Sequence, residues 1–148
     1  LWLSATLTRR PYESGLRNSM ETQYNGLPAR AVQVDVTVGN VGNTQMVATM
    51  PAVPGWINVL SGFDITGTGA TAAQALNVTT TGLATNLALS LAVPAGVTVN
   101  GANAAWNCRP AWGRPASGAN VAVSVTVPAF GAGNVGAAIN LYGYRVPG

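Results

Sequence analysis

The chain has 148 residues, of which 48% are hydrophobic and only 7% are charged, and it contains no histidine. Its net charge of +3 comes from seven arginines set against four acidic residues. Nucleic-acid-binding proteins concentrate lysine and arginine on one surface, so this scattered set argues against a nucleic-acid partner. A chain of this size fits one domain with its own core, and its sparse charge indicates that apolar surface is covered by other subunits.

The first 30 residues differ from the rest, because they hold six of the chain's eleven charges together with several aromatic and leucine residues. We interpret residues 1–30 as an extended arm that binds a partner subunit. Its arginines are suited to pairing with carboxylates, and its apolar residues to filling pockets. A frayed chain end is the alternative. The predicted contact residues of the arm are Trp2, Leu3, Leu7, Arg9, Arg10, Arg17 and Arg30.

From Ala31 onward, short apolar segments alternate with turns rich in glycine, proline and asparagine. Alternation of apolar and polar residues is typical of half-buried strands. Strands are predicted over residues 32–38, 45–50, 56–65, 73–81, 86–93, 104–108, 121–127 and 137–146. Turn signals at this spacing are typical of a β-sandwich or barrel. No apolar run approaches the roughly 18 residues that span a bilayer, so no membrane partner is expected.

The last two predicted strands are the most regular part of the sequence. Valine occupies every second position from Val121 to Val127, and a glycine-rich turn at 131–136 leads to the β-type segment 137–146. We interpret this region as a β-hairpin with a long turn.

Two glycine patterns resemble nucleotide-binding fingerprints, at 67–72 and at 131–136. That fingerprint requires a strand followed by a helix, with an acidic residue about 20 positions further on. Neither segment has this context, so both are interpreted as turns and no cofactor is expected.

An enzymatic role is not expected. Nucleophilic catalysis needs a base, and the chain has neither histidine nor lysine. The four carboxylates, Glu13, Glu21, Asp35 and Asp64, are interpreted as solvated or arginine-paired groups rather than an acid and base pair. Metal ligation is not expected either, because imidazole is absent and Cys108 is the one thiol.

Two tryptophans and two arginines lie close together in the least regular segment: Trp106, Arg109, Trp112 and Arg114. Tryptophan and arginine are enriched in interface hot spots, and tryptophan also stacks on sugars. The group therefore suggests a protein interface or a glycan contact. A tryptophan that caps one edge of the core is the alternative.

The segments GFDITGTGATAAQALNVTTTGL, LAVPAGV and VAVSVTVPAFGAGNVGAAINLYGYRV resemble those of capsid decoration, or cement, proteins of tailed bacteriophages. The resemblance covers residues 57–146. It implies a jelly-roll-like antiparallel β-sandwich of about eight strands, here residues 31–148, that assembles as a homotrimer on the outer surface of the virion. It also implies that the arm reaches over the major capsid protein.

The resulting expectation is a non-enzymatic virion protein that stabilises a capsid by binding its shell as an oligomer. The alternative is a head-fibre or adhesin-type module that recognises host surface glycans. Binding of a selected sugar would favour the alternative, and occupancy on a capsid would favour decoration.

Overall fold

The computed structural model describes residues 27–68, 70–93, 95, 104–108 and 113–148, and at 40–41 and 104–107 it describes the backbone alone. Within these residues the chain has nine strands and no helix. Apart from the two-residue β7, the strands correspond to the eight that the sequence predicts. The strands are β1 (Val32–Val41), β2 (Met46–Met50), β3 (Trp56–Thr68), β4 (Gln74–Thr81), β5 (Ala88–Val93), β6 (Ala104–Cys108), β7 (Arg114–Pro115), β8 (Val123–Val127) and β9 (Gly136–Pro147).

The strands form two antiparallel sheets. One sheet has the order β1-β9-β3-β6, with β7 also paired to β3, and the other has the order β2-β8-β4-β5. Because side chains alternate across a strand, each sheet directs one set of apolar residues toward the other sheet. The fold is therefore an all-β antiparallel sandwich, as the sequence predicts.

Four of the strand pairs are nested within one another: β4 with β5, β3 with β6, β2 with β8 and β1 with β9. This is the pattern of one long antiparallel hairpin whose two halves have been rolled up together. Lateral pairs between β3 and β9 and between β4 and β8 complete the two sheets. Rolled in this way, the strands have the order of a jelly roll.

The prediction that the last two long strands, β8 and β9, form a hairpin is wrong. β8 pairs with β2 and β4, whereas β9 pairs with β1 and β3 in the other sheet. The connection at 128–135 thus crosses between the sheets, and Phe130 within it is buried in the core at 1% exposure. The crossing places β8 and β9 at the centres of their sheets, where each has neighbours on both sides.

The core lies between the sheets, and β8 follows the predicted alternation. Val123, Val125 and Val127 are fully buried, and the residues between them are half-buried. Burial of a side chain of this size contributes roughly 1.5–3 kcal/mol. Phe63, Leu60, Ile139 and other large residues from the five-stranded sheet complete the same cluster.

A register shift in β3 changes which of its residues face the core. The shift lies between Leu60 and Gly62, so Leu60 and Phe63 both face inward although they are three positions apart. Val59 pairs with Tyr144 on the outer side of the sheet, and it is nevertheless 6% exposed. Val59 and Phe63 are four positions apart and nevertheless lie on opposite sides of the strand, because a bulge inverts the alternation.

The compact body spans Val32–Gly148, and its first residue is the first of β1. Of the predicted arm, residues 1–26 lie outside the described residues. Within the described part, Ala31 donates a backbone hydrogen bond to Pro28, and Arg30 has a φ of 64°. This hydrogen bond and the positive φ are those of a turn that immediately precedes β1.

Candidate functional site

The residues predicted to bind a partner fall into two groups. Of the arm residues, only Arg30 is described, and its side chain is exposed. Of the tryptophan and arginine group, Arg109 and Trp112 lie outside the described residues, while Arg114 is exposed in β7 opposite Leu60.

Trp106 is described by its backbone, in the middle of β6. It pairs with Ile65, which is fully buried in the core. The predicted interface or glycan contact, with Trp106 and Trp112 as its tryptophans, stays a prediction.

Cys108 pairs with Phe63 at the end of the same strand and packs against the core while half-buried. A cysteine packed in this way behaves as a small apolar residue.

Charge is unevenly distributed over the described body. Both of its carboxylates, Asp35 and Asp64, lie on the outer face of the five-stranded sheet, on strands that flank Tyr142 of β9. The Tyr142 hydroxyl donates to Asp64 Oδ2 at 2.9 Å, and Gln33 Nε2 donates to Asp35 Oδ2 at 2.6 Å. The two carboxylates thus belong to a hydrogen-bonded polar surface.

Two tyrosines on this outer face were missed by the sequence reading. Tyr142 and Tyr144 are half-buried and two positions apart in β9, with Asn140 next to them in the same row. Thr37 Oγ1 donates to Asn140 Oδ1 at 2.9 Å. The spacing of two was visible in the sequence, but whether this row faces outward depends on the strand register. The arrangement offers aromatic surface beside oriented hydrogen-bonding groups.

The arginines of the described body lie toward the opposite end of the strands from the β8–β9 connection. Arg145 pairs with Val32 at the start of β1, and Arg114 pairs with Leu60. Arg145 has a structural role, because its Nε donates to Asn58 Oδ1 at 2.8 Å and its Nη2 donates to the Pro51 carbonyl at 3.0 Å. The Arg114 side chain is exposed, and it forms no hydrogen bond or ion pair with the other described residues.

Asn58 is a buried polar residue at the same end of the sandwich as Arg145, and its side chain is 1% exposed. Its Nδ2 donates to the carbonyls of Val121 at 2.8 Å and Pro51 at 3.1 Å, while its Oδ1 accepts from Arg145. These bonds connect β3 and β9 to the loops before β3 and before β8. A buried amide with this many partners fixes loop positions rather than binding a ligand.

The other end of the sandwich carries the described connections 42–45, 70–73 and 128–135, none of which contains a charged residue. We call these three segments the neutral end. Asn43 and Asn134 join two of them: Asn43 N donates to Asn134 Oδ1 at 2.9 Å, and Gly131 N donates to Asn43 Oδ1 at 2.9 Å. The third is joined by Thr71, whose amide and hydroxyl both donate to the Ala132 carbonyl.

The described residues contain no group of three or more acidic, histidine or cysteine side chains that could hold a metal ion. They also contain no apolar helix of the length needed to cross a membrane.

Neither protein-family models nor the sequences of curated proteins give a match to this chain.

Proposed function

We propose that this chain is a structural protein of a virion that decorates and stabilises a capsid by binding the outer shell as an oligomer, a homotrimer by its resemblance. The partners are the major capsid protein and other copies of the chain. Arginines of the arm bind carboxylates of the shell, and the jelly-roll body supplies a rigid unit on the outer surface.

The observation that supports the proposal most strongly is the charge distribution. Within the described residues, charge is confined to Arg30, Asp35, Asp64, Arg114 and Arg145. Most of the body surface is therefore formed by threonine, serine, asparagine, alanine and glycine. A surface with so few charged side chains gains little solubility from charge. It therefore suits a protein that works within an assembly rather than alone.

The fold is compatible with the proposal but does not decide it. Jelly rolls occur in viral capsid domains and also in lectins and cupins, and one fold can carry many functions. What separates the classes is what the surface binds.

The first experiment measures occupancy on undecorated capsids. We expect the full chain to bind, and Arg9→Gln with Arg10→Gln and Arg17→Gln to lose most occupancy, because bidentate pairing with carboxylates is removed. Asp35→Asn is the control, since it removes an exposed charge of the body that the decoration proposal does not use. Full occupancy of the triple variant would contradict the role assigned to the arm.

A glycan-binding module is the second candidate, and the outer face with Tyr142 and Tyr144 favours it. Aromatic rings beside oriented carboxylate and amide groups suit the apolar faces and hydroxyls of a sugar. A glycan array probed with the wild type, Trp112→Ala and Tyr144→Ala tests this candidate. Selective binding that either variant abolishes, together with no capsid occupancy, would replace the decoration proposal.

A further inference from the structure

We propose that the neutral end is the surface through which one copy of this chain contacts another, with Val135 at the centre of the contact. The inference rests on the self-association that the proposed function includes. It adds the location of the contact and the residues that form it.

The exposure of Val135 is the first observation. Its side chain is 72% exposed, compared with 50% for Val32 and 46% for Val47, the other large hydrophobic residues exposed in the described chain. A single exposed valine is ordinary in a soluble protein. Here, however, it projects from a segment of glycine, alanine and asparagine, so no long charged side chain of that connection covers it.

The rigidity of the surrounding backbone is the second observation. Val135 N donates to the Thr68 carbonyl at 3.3 Å, and Asn134 beside it is 7% exposed. Gln74 Nε2 donates to the carbonyl of Phe130, whose ring anchors the same connection in the core. A surface already fixed by such contacts loses little conformational entropy when a partner binds.

The absence of charge points to a second copy as the partner. Copies related by a rotation axis present the same groups to one another, so a charged surface near the axis meets its own sign. The outer face of the five-stranded sheet carries Asp35 and Asp64, and the opposite end carries Arg114 and Arg145. The neutral end avoids this repulsion.

The outer face of the four-stranded sheet is the competing surface for self-contact. It carries Val47 and a row of hydroxyl groups, among them Thr49 Oγ1 at 2.8 Å from Ser124 Oγ. Hydroxyl groups must lose water when buried and gain less from contact than an exposed apolar side chain does. Val47 therefore provides the matched control for Val135.

The test is light scattering after size-exclusion chromatography on the full chain at micromolar concentrations, with circular dichroism to establish folding. Wild type is expected at a multiple of 15.0 kDa. Val135→Arg and Ala132→Arg, both exposed in the same connection, are expected near the monomer mass, with dissociation constants raised at least ~10-fold, equivalent to ~1.4 kcal/mol. Val47→Arg is expected to keep the wild-type mass.

The inference is overturned if Val135→Arg and Ala132→Arg are folded and keep the oligomer, or if Val47→Arg alone dissociates it. A monomeric wild type would overturn both the inference and the self-association on which it rests. Capsid occupancy measured on the same samples separates the two proposals. Dissociation by Val135→Arg without wild-type occupancy on capsids would support the contact and contradict decoration.

Discussion

Gly67 lies in β3 where the ring of Phe130 packs against the backbone, and a Cβ at this position would overlap that ring. We expect Gly67→Ala to destabilise the body by about 1–3 kcal/mol, because a fully buried ring has no free space to move into. Gly118→Ala is the control, since a Cβ there has no neighbour within 4 Å. Urea unfolding of both variants measures the difference, and equal midpoints would contradict this account of Phe130.

Asn58 allows a second prediction at the scale of a single residue. Asn58→Ala leaves the carbonyls of Pro51 and Val121 and the Arg145 guanidinium without their shared partner. The expected loss is about 2–4 kcal/mol of unfolding free energy, because buried polar groups without partners carry their desolvation cost. Asn77→Ala, on the exposed side of β4, should change stability by less than about 0.5 kcal/mol. A loss below about 1 kcal/mol for Asn58→Ala would show that water replaces the amide.

The connections that form the neutral end are held together by the Asn43 and Asn134 pair. Asn43→Gly keeps a residue that tolerates the observed φ of 33° and removes the acceptor for Gly131 N. We expect faster hydrogen exchange at the Gly131 amide, since its bonded partner is lost. The Asn120 amide, bonded to Trp56 at the other end, should exchange as in wild type. Unchanged exchange at Gly131 would mean that Asn43 does not fix this connection.

The strands themselves could be predicted because alternation and turn residues are local signals. β8 shows this, since a valine stands at every second position and all three of its valines are buried. What could not be predicted is which strands pair, since local alternation is the same whether the next strand joins the same sheet or the other one. The bulge at Leu60 and the crossing at Phe130 both depend on distant partners. For the same reason, the outward row of Tyr142 and Tyr144 appeared only with the register of β9.

For the whole molecule, the position of β1 predicts the effect of truncation. Deleting residues 1–30 should leave the body folded, because the first paired residue is Val32. Deleting residues 1–41 should unfold it, because Val34, Val36 and Val38 pack against the core and β9 would lose a neighbour. Near-ultraviolet circular dichroism and thermal unfolding compare the two truncations. Loss of the folded state in the shorter deletion would place the start of the body before Val32.

The nesting of strand pairs has a consequence for how the chain reaches its structure during synthesis. Val32 pairs with Arg145, so β1 cannot form its pairing with β9 until a segment more than a hundred residues later has been synthesised. Folds with such a high contact order form slowly, on the order of milliseconds to seconds, because distant segments must meet before either is stabilised. β9 also separates β1 from β3, so the five-stranded sheet cannot close on a ribosome-bound chain until residues 136–147 have emerged. Until then β3 and β1 expose strand edges that can pair with neighbouring nascent chains, and the time needed to synthesise the segments up to β9 sets how long that exposure lasts.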